Sequence, residues 1–215
     1  MTTASPGPGM KAWAPAQLFA LALLCAGVGL ADAGDASANS SGSLRAKYGA
    51  LQHQLGHNQF QRPLYLDSSK TPGGVAGDIY ALINYPFATV SAALISGGNW
   101  CDILILHLNT KYCRASTAGQ ENVLDVRIGR KHDQPLDEAH RAAFAYHVAA
   151  QTPDYLQIRL DADQGPLSTR EYRIVLEAVP LENGQTFIHL SYSYAYGPVA
   201  RLAMQAYLGR PGETR

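Results

Sequence analysis

The chain has 215 residues, 47% hydrophobic and 16% charged, with 17 basic against 17 acidic side chains and a formal net charge of zero. That balance, with no basic cluster, gives no support for nucleic-acid or anionic-membrane binding. The length suits one domain of ordinary size after any leader is removed.

The N-terminus reads MTTASPGPGMKAWAPAQLFALALLCAGVGLADAGDASA, with Lys11 as the only charge ahead of an apolar run from Leu18 to Leu30, then Ala31-Asp32-Ala33. This layout predicts a secretory signal peptide over residues 1–33, cleaved after Ala33 with Ala38 as the alternative. The run is shorter than the roughly 20 apolar residues of a membrane span, and Gly27 and Gly29 break it. Met10, followed by Lys11, is the more natural start, and the bulky Leu24 before Cys25 argues against lipid attachment. The expected mature protein is exported, periplasmic or secreted, and has no transmembrane anchor. Cleavage leaves Cys101 and Cys113 as an even pair in an oxidising compartment, more often bonded than free.

Residues 34–43, GDASANSSGS, have little to bury and are expected to be a flexible leader. Ser43 then caps an N-terminal helix at 44–60 carrying Leu44, Tyr48, Leu51 and Leu55 at helical spacing. Its HQLGH stretch places His53 and His57 one turn apart, but Gln54 stands where a zinc protease has glutamate, so both read as solvent-facing. No metal or cofactor motif is present, and none is expected. Residues 64–69 and 77–85 read as strands across the turn-rich KTPGG. Pro86 opens a helix over 86–95 with Phe87, Val90, Ala93 and Leu94 on one face, ended by Gly97-Gly98.

The stretch WCDILILHLNTKYC (100–113) is decided by its cysteines. Twelve steps of extended chain separate its ends by roughly 40 Å, whereas a disulfide needs Cα atoms within about 7 Å. A helix over 100–108 rises only about 12 Å and lets the chain turn back. The spacing therefore predicts a helix over 99–108 capped by Asn99, with Trp100, Ile103, Leu104, His107 and Leu108 at helical spacing, and a Cys101–Cys113 bond.

Antiparallel strands are then predicted over 123–131, 142–150, 155–163, 168–180 and 185–196. Around Asn183-Gly184 a three-residue loop with Gly184 in the left-handed position pairs Ala178 with Ile188, Leu176 with Leu190, Ile174 with Tyr192 and Tyr172 with Tyr194. Across Gln164-Gly165-Pro166 the same reasoning pairs Leu160 with Arg170, Ile158 with Tyr172 and Leu156 with Ile174. One face then holds Phe144, Tyr146, Val148, Leu176, Ile188 and Leu190 together with Tyr146's neighbours Leu156, Ile158, Tyr172, Ile174, Tyr192 and Tyr194. The other holds Gln157, Arg159, Arg173, Glu177, His189, Ser191 and Ser193 and is polar enough for water. The tyrosine stripe reads either as packed core with each hydroxyl reaching a partner or as the wall of an apolar pocket. In the second reading the pocket is formed by Tyr146, Leu156, Ile158, Tyr172, Ile174, Tyr192 and Tyr194. No catalytic residue is assigned, because the ionisable groups fall on the other face.

DIYALINYPFATVSAAL, WCDILILHL and the closing SYSYAYGPVARLAMQAYL together resemble the START-like, helix-grip superfamily, which includes lipid-transfer domains and polyketide-cyclase-like proteins. The resemblance spans residues 77–208. It implies an α+β fold: a curved antiparallel sheet, two short helices after the first main strand, and a C-terminal helix gripping a hydrophobic ligand against the sheet. The domain would run over 61–208, with 209–215 a disordered tail. The last helix, 198–208, is short for that grip at about 16 Å. Either the chain is a truncated member, or helix 44–57 or a partner closes the sheet. The leading functional expectation is an exported, non-enzymatic protein binding a hydrophobic or amphipathic small molecule such as a lipid. The alternatives are a cyclase- or hydrolase-like enzyme, for which His107 or His147 would have to enter the pocket, and a ligand-free interaction protein that self-associates through an incompletely covered sheet.

Overall fold

The computed structural model describes residues 33–71, 73–118 and 121–198. The expected signal peptide, the C-terminal helix beyond Pro198 and the tail lie outside the described residues. Helix α1 (Ala33–Gly56) precedes strands β1 (Leu64–Thr71) and β2 (Gly74–Ile83), and helices α2 (Phe87–Leu94) and α3 (Gly97–Leu104) follow them. Strands β3 (Thr110–Ala118), β4 (Glu121–Ile128), β5 (His140–Thr152), β6 (Tyr155–Gln164), β7 (Thr169–Pro180) and β8 (Thr186–Tyr196) complete one eight-stranded sheet in the order β1-β2-β8-β7-β6-β5-β4-β3.

Every pairing is antiparallel, and the one between β2 and β8 joins the two halves of the chain. Irregularities at Thr110/Tyr112, Val148/Ala150 and Arg170/Arg173 add the local bends that curve such a sheet. Alternate residues enter two separate cores. On the inner face Leu124, Phe144, Leu156, Ile158, Leu160 and Leu176 pack beneath α2 and α3. On the outer face Tyr80, Tyr155, Val179 and Phe187 pack beneath Leu44, Leu51 and Leu55 of α1.

Several expectations change. Residues 34–43 are helical, so α1 begins well before Ser43 and ends at Gly56, short of residue 60. Docking supplies what composition lacks: Ser41 is buried and its Oγ donates to Asp154 Oδ2 at 3.1 Å, while Arg45 donates to the Pro180 carbonyl at 3.1 Å. Helix α1 covers the outer face and so does not close the inner one, and the face expected to meet water is partly roofed. Gly97 and Gly98 open α3 instead of ending α2, and Asn99 bonds to the Ala93 carbonyl instead of capping. Helix α3 stops at Leu104, which leaves His107 and Leu108 outside it and exposed.

The β7–β8 register is the expected one for Ala178/Ile188, Leu176/Leu190 and Ile174/Tyr192, with Gly184 at φ +77°. The irregularity beside it interrupts the ladder at Tyr172, yet the Tyr172 and Tyr194 rings stack at 5.1 Å. Across β6–β7 the pairing moves by four residues, to Leu156/Ala178, Ile158/Leu176 and Leu160/Ile174. Strand β6 continues to Gln164 before turning, and because the shift is even, no side chain changes face.

Candidate functional site

Pro86 fixes the chain for entry into α2, and Phe87 and Leu94 anchor that helix in the inner core. Helix α3 follows almost at once and is tied down by the Cys101–Cys113 disulfide, whose Cα atoms are 5.1 Å apart, to the edge strand β3. The two helices do not fill the space above β2, β8 and β7. A cavity of about 470 Å³ remains, lined among the described residues by Ile79, Ile83, Leu176, Ile188 and Leu190 from the sheet. Thr89, Val90, Ala93 and Leu94 of α2, Trp100 and Ile103 of α3, and Tyr85 complete that wall.

The wall is apolar because its polar atoms are engaged elsewhere. The carbonyl of Leu94, at the end of α2, accepts both Trp100 Nε1–H at 2.7 Å and Tyr146 O–H at 2.9 Å. Two aromatic tips thus satisfy a helix-end acceptor that would otherwise be orphaned, and both are withdrawn from the void. Burial holds the Tyr146 phenol above its ordinary pKa, so it stays a neutral donor. Apolar walls with few polar groups are the usual make-up of sites for small apolar ligands.

The seven residues read from the sequence lie on this inner face but are not among the described residues lining the cavity. Leu156 and Ile158 are fully buried core. Tyr146 is buried and tethered to Leu94. Tyr172 accepts or donates a 2.7 Å hydrogen bond with Thr169 Oγ1 and meets the Phe144 edge at 5.9 Å, while Ile174 packs partly buried against the same core. Tyr192 lies across Gly77, where a Cβ would come within 2.6 Å of its ring. Glycine at 77 is what lets the ring sit flat on the neighbouring strand. The alternation Ile79, Ala81, Ile83 in the first main strand was a readable signal for the missing wall. His107 and His147, the two histidines an enzyme reading would need, are exposed.

A second cavity, of about 440 Å³, lies between α1 and the outer face and is lined by Ser40, Ser43, Leu44, Lys47, Tyr80, Glu177 and His189. Here His189 Nε2 meets Asp78 Oδ1 at 2.7 Å and Nδ1 meets Glu177 Oε2 at 3.0 Å. Both nitrogens face carboxylates, so the protonated ring can donate to both. Tyr155 donates to the other Glu177 oxygen at 2.5 Å, and Tyr80 stacks on His189 at 4.4 Å. Burial lowers the His189 pKa, but the hydrogen bonds and charges of Glu177 and Asp78 outweigh it, and the net shift is upward. For Glu177 burial acts upward, and the contacts from His189 and Tyr155 overcome it to leave the carboxyl lowered. The arrangement therefore braces the strands beneath α1.

No protein-family model matches the sequence, and neither does any curated protein. Among solved structures, the chain is similar to a conserved protein of Geobacillus kaustophilus (14% identity, TM-score 0.43, covering 62% of this chain and 83% of that one). Human StAR-related lipid transfer protein 5 matches over 82% of this chain and 90% of its own at 10% identity and a TM-score of 0.42. The Zhui aromatase/cyclase of Streptomyces sp. R1128 matches over 64% and 73% at 11% identity and a TM-score of 0.41. The strand, the two short helices and the returning antiparallel meander carry the assignment. Among the described residues the fold is α+β, one curved eight-stranded antiparallel sheet with three helices. The two helices after β2 stand over the inner face, where the 470 Å³ cavity lies.

Proposed function

We propose that the protein is exported and binds, without chemical conversion, an apolar or amphipathic small molecule of the acyl-lipid class in the cavity beneath α2 and α3. The observation that carries this is the wall itself. Among its described residues the only side-chain hydroxyls are those of Tyr85 and Thr89, the Trp100 N–H is spent on Leu94, and no acid, histidine, lysine, arginine or cysteine contributes. Such a wall offers nothing to a charged group and much to a hydrocarbon chain, whose burial stabilises by about 0.8 kcal/mol per methylene. Export is supported by the N-terminal pattern and by the Cys101–Cys113 bond, which suits an oxidising compartment. The tyrosines beyond the cavity, Tyr172, Tyr192 and Tyr194, lie on the same face and would meet the more polar end of a longer ligand.

Titration with cis-parinaric acid delivered from ethanol tests the binding claim. Saturable fluorescence is expected from the wild type and its loss from Ala93→Trp, which places an indole in the void. Equal signal from both proteins would overturn the assignment to this cavity. Intact mass after expression in an exporting host tests cleavage after Ala33.

A further inference from the structure

We infer that the disulfide-closed loop between Cys101 and Cys113 is a bilayer-docking wedge that sets the cavity mouth against an anionic lipid surface. This rests on the lipid reading above and names the partner from which the ligand is drawn. From Ile103, in the last turn of α3, onward the chain exposes large apolar side chains: Ile103 49%, Ile105 46%, Leu106 80% and Leu108 68%. Singly such residues are ordinary, but a contiguous group at one tip marks an interaction surface. Ile103 also lines the cavity, so the exposed apolar residues begin at its wall, with the exposed His107 between Leu106 and Leu108. Tyr85, 63% exposed, stands on the same wall and supplies the amphipathic aromatic found at membrane interfaces.

Charge at this tip favours lipid headgroups over a neutral partner. Lys111 Nζ donates to the Leu108 carbonyl at 3.2 Å, which fixes an ammonium beside the most apolar stretch. The Gly129 N–H bonds to the Asn109 carbonyl at 2.7 Å, which brings Arg130 and Lys131, both exposed, to the same end. Asp102 and Asp133 are the nearby acids in sequence. The cations come from two segments joined only by folding, so no basic run appears in the chain. A cation near an anionic bilayer is drawn to it, and partial burial of the leucines adds to that attraction. The Cys101–Cys113 bond closes the loop at its base, which makes the tip a fixed projection.

Sedimentation with phosphatidylcholine vesicles, with and without phosphatidylglycerol, tests this on the mature full chain. The wild type is expected to bind vesicles more tightly when phosphatidylglycerol is present. The double substitution Leu106→Ser with Leu108→Ser should weaken binding by roughly tenfold or more, and Lys111→Glu should abolish the phosphatidylglycerol preference. The double variant should still take up cis-parinaric acid from ethanol, which shows that it is folded and separates docking from ligand binding. Wild-type protein that loads the probe yet sediments with neither vesicle would overturn the wedge while leaving the cavity reading intact. A double variant that binds vesicles like the wild type would do the same. A concentration-dependent dimer lost in the double variant, without vesicle binding, would assign the tip to a protein partner and overturn the proposal.

Discussion

The two faces of this sheet solve the problem of buried polarity in opposite ways. On the inner face, polar tips are drawn back to a helix end, as Trp100 and Tyr146 are to Leu94, and a void with apolar walls is left. On the outer face, Asp78, His189, Glu177 and Tyr155 are kept together and satisfy one another beneath α1. The proposed site for an apolar ligand is served by removing directional groups. A helix that must dock in one register is served by fixing them. The contrast also explains why the cluster of ionisable groups is not where the ligand is expected.

The contrast can be broken most forcefully by truncating the fully packed side chains. Phe187→Ala beneath α1 should cost about 3–5 kcal/mol in urea unfolding, and it should expose α1 to protease, since Tyr48 rests on that ring at 5.2 Å. Leu156→Ala in the inner core should cost about 2–5 kcal/mol, whereas Leu190→Ala on the cavity wall should cost less. Leu190 already faces empty space and forfeits fewer contacts. Equal costs for the two leucines would argue that the void is filled.

The outer brace should respond to pH on both sides. The contribution from the raised pKa of His189 is present in full below its unfolded value of about 6.5 and is lost as pH rises through the higher folded value. That from the lowered pKa of Glu177 is present above about 4.3 and is lost as pH falls through the lower folded value. Thermal melts should therefore be highest between about pH 4.3 and 6.5, and His189→Gln should flatten the alkaline limb while costing about 2 kcal/mol on the acidic side of it. The smallest effect is expected from Trp100→Phe, about 1 kcal/mol, because Tyr146 still satisfies the Leu94 carbonyl. Full retention of stability with loss of ligand uptake there would show that the indole shapes the cavity more than it supports the fold.

What the sequence discloses follows the strength of each local signal. Helix α3 was legible because bonded cysteines twelve positions apart forbid a straight strand between them. Faces along β6, β7 and β8 were legible because alternation fixes parity, and the four-residue error across β6–β7 left parity untouched. Strand β3 was missed, because TKYCRASTA is an edge strand carrying Lys111 and Arg114 and has no apolar alternation to reveal it. The start of α1 was missed for a related reason: its first residues are poor helix formers, and the helix is supported by contacts with Asp154 and Pro180 more than one hundred positions away. The cavity itself was displaced toward β2 in the fold. Which part of an apolar face is packed and which is left open depends on where α2 and α3 stand, and periodicity does not contain that.

Native mass spectrometry of the protein recovered from an exporting host, paired with its denatured mass, tests the central claim most directly. The account predicts a discrete apolar adduct on the wild type that disappears on denaturation and is absent from Ala93→Trp. Bare protein that also fails to take up cis-parinaric acid would contradict it.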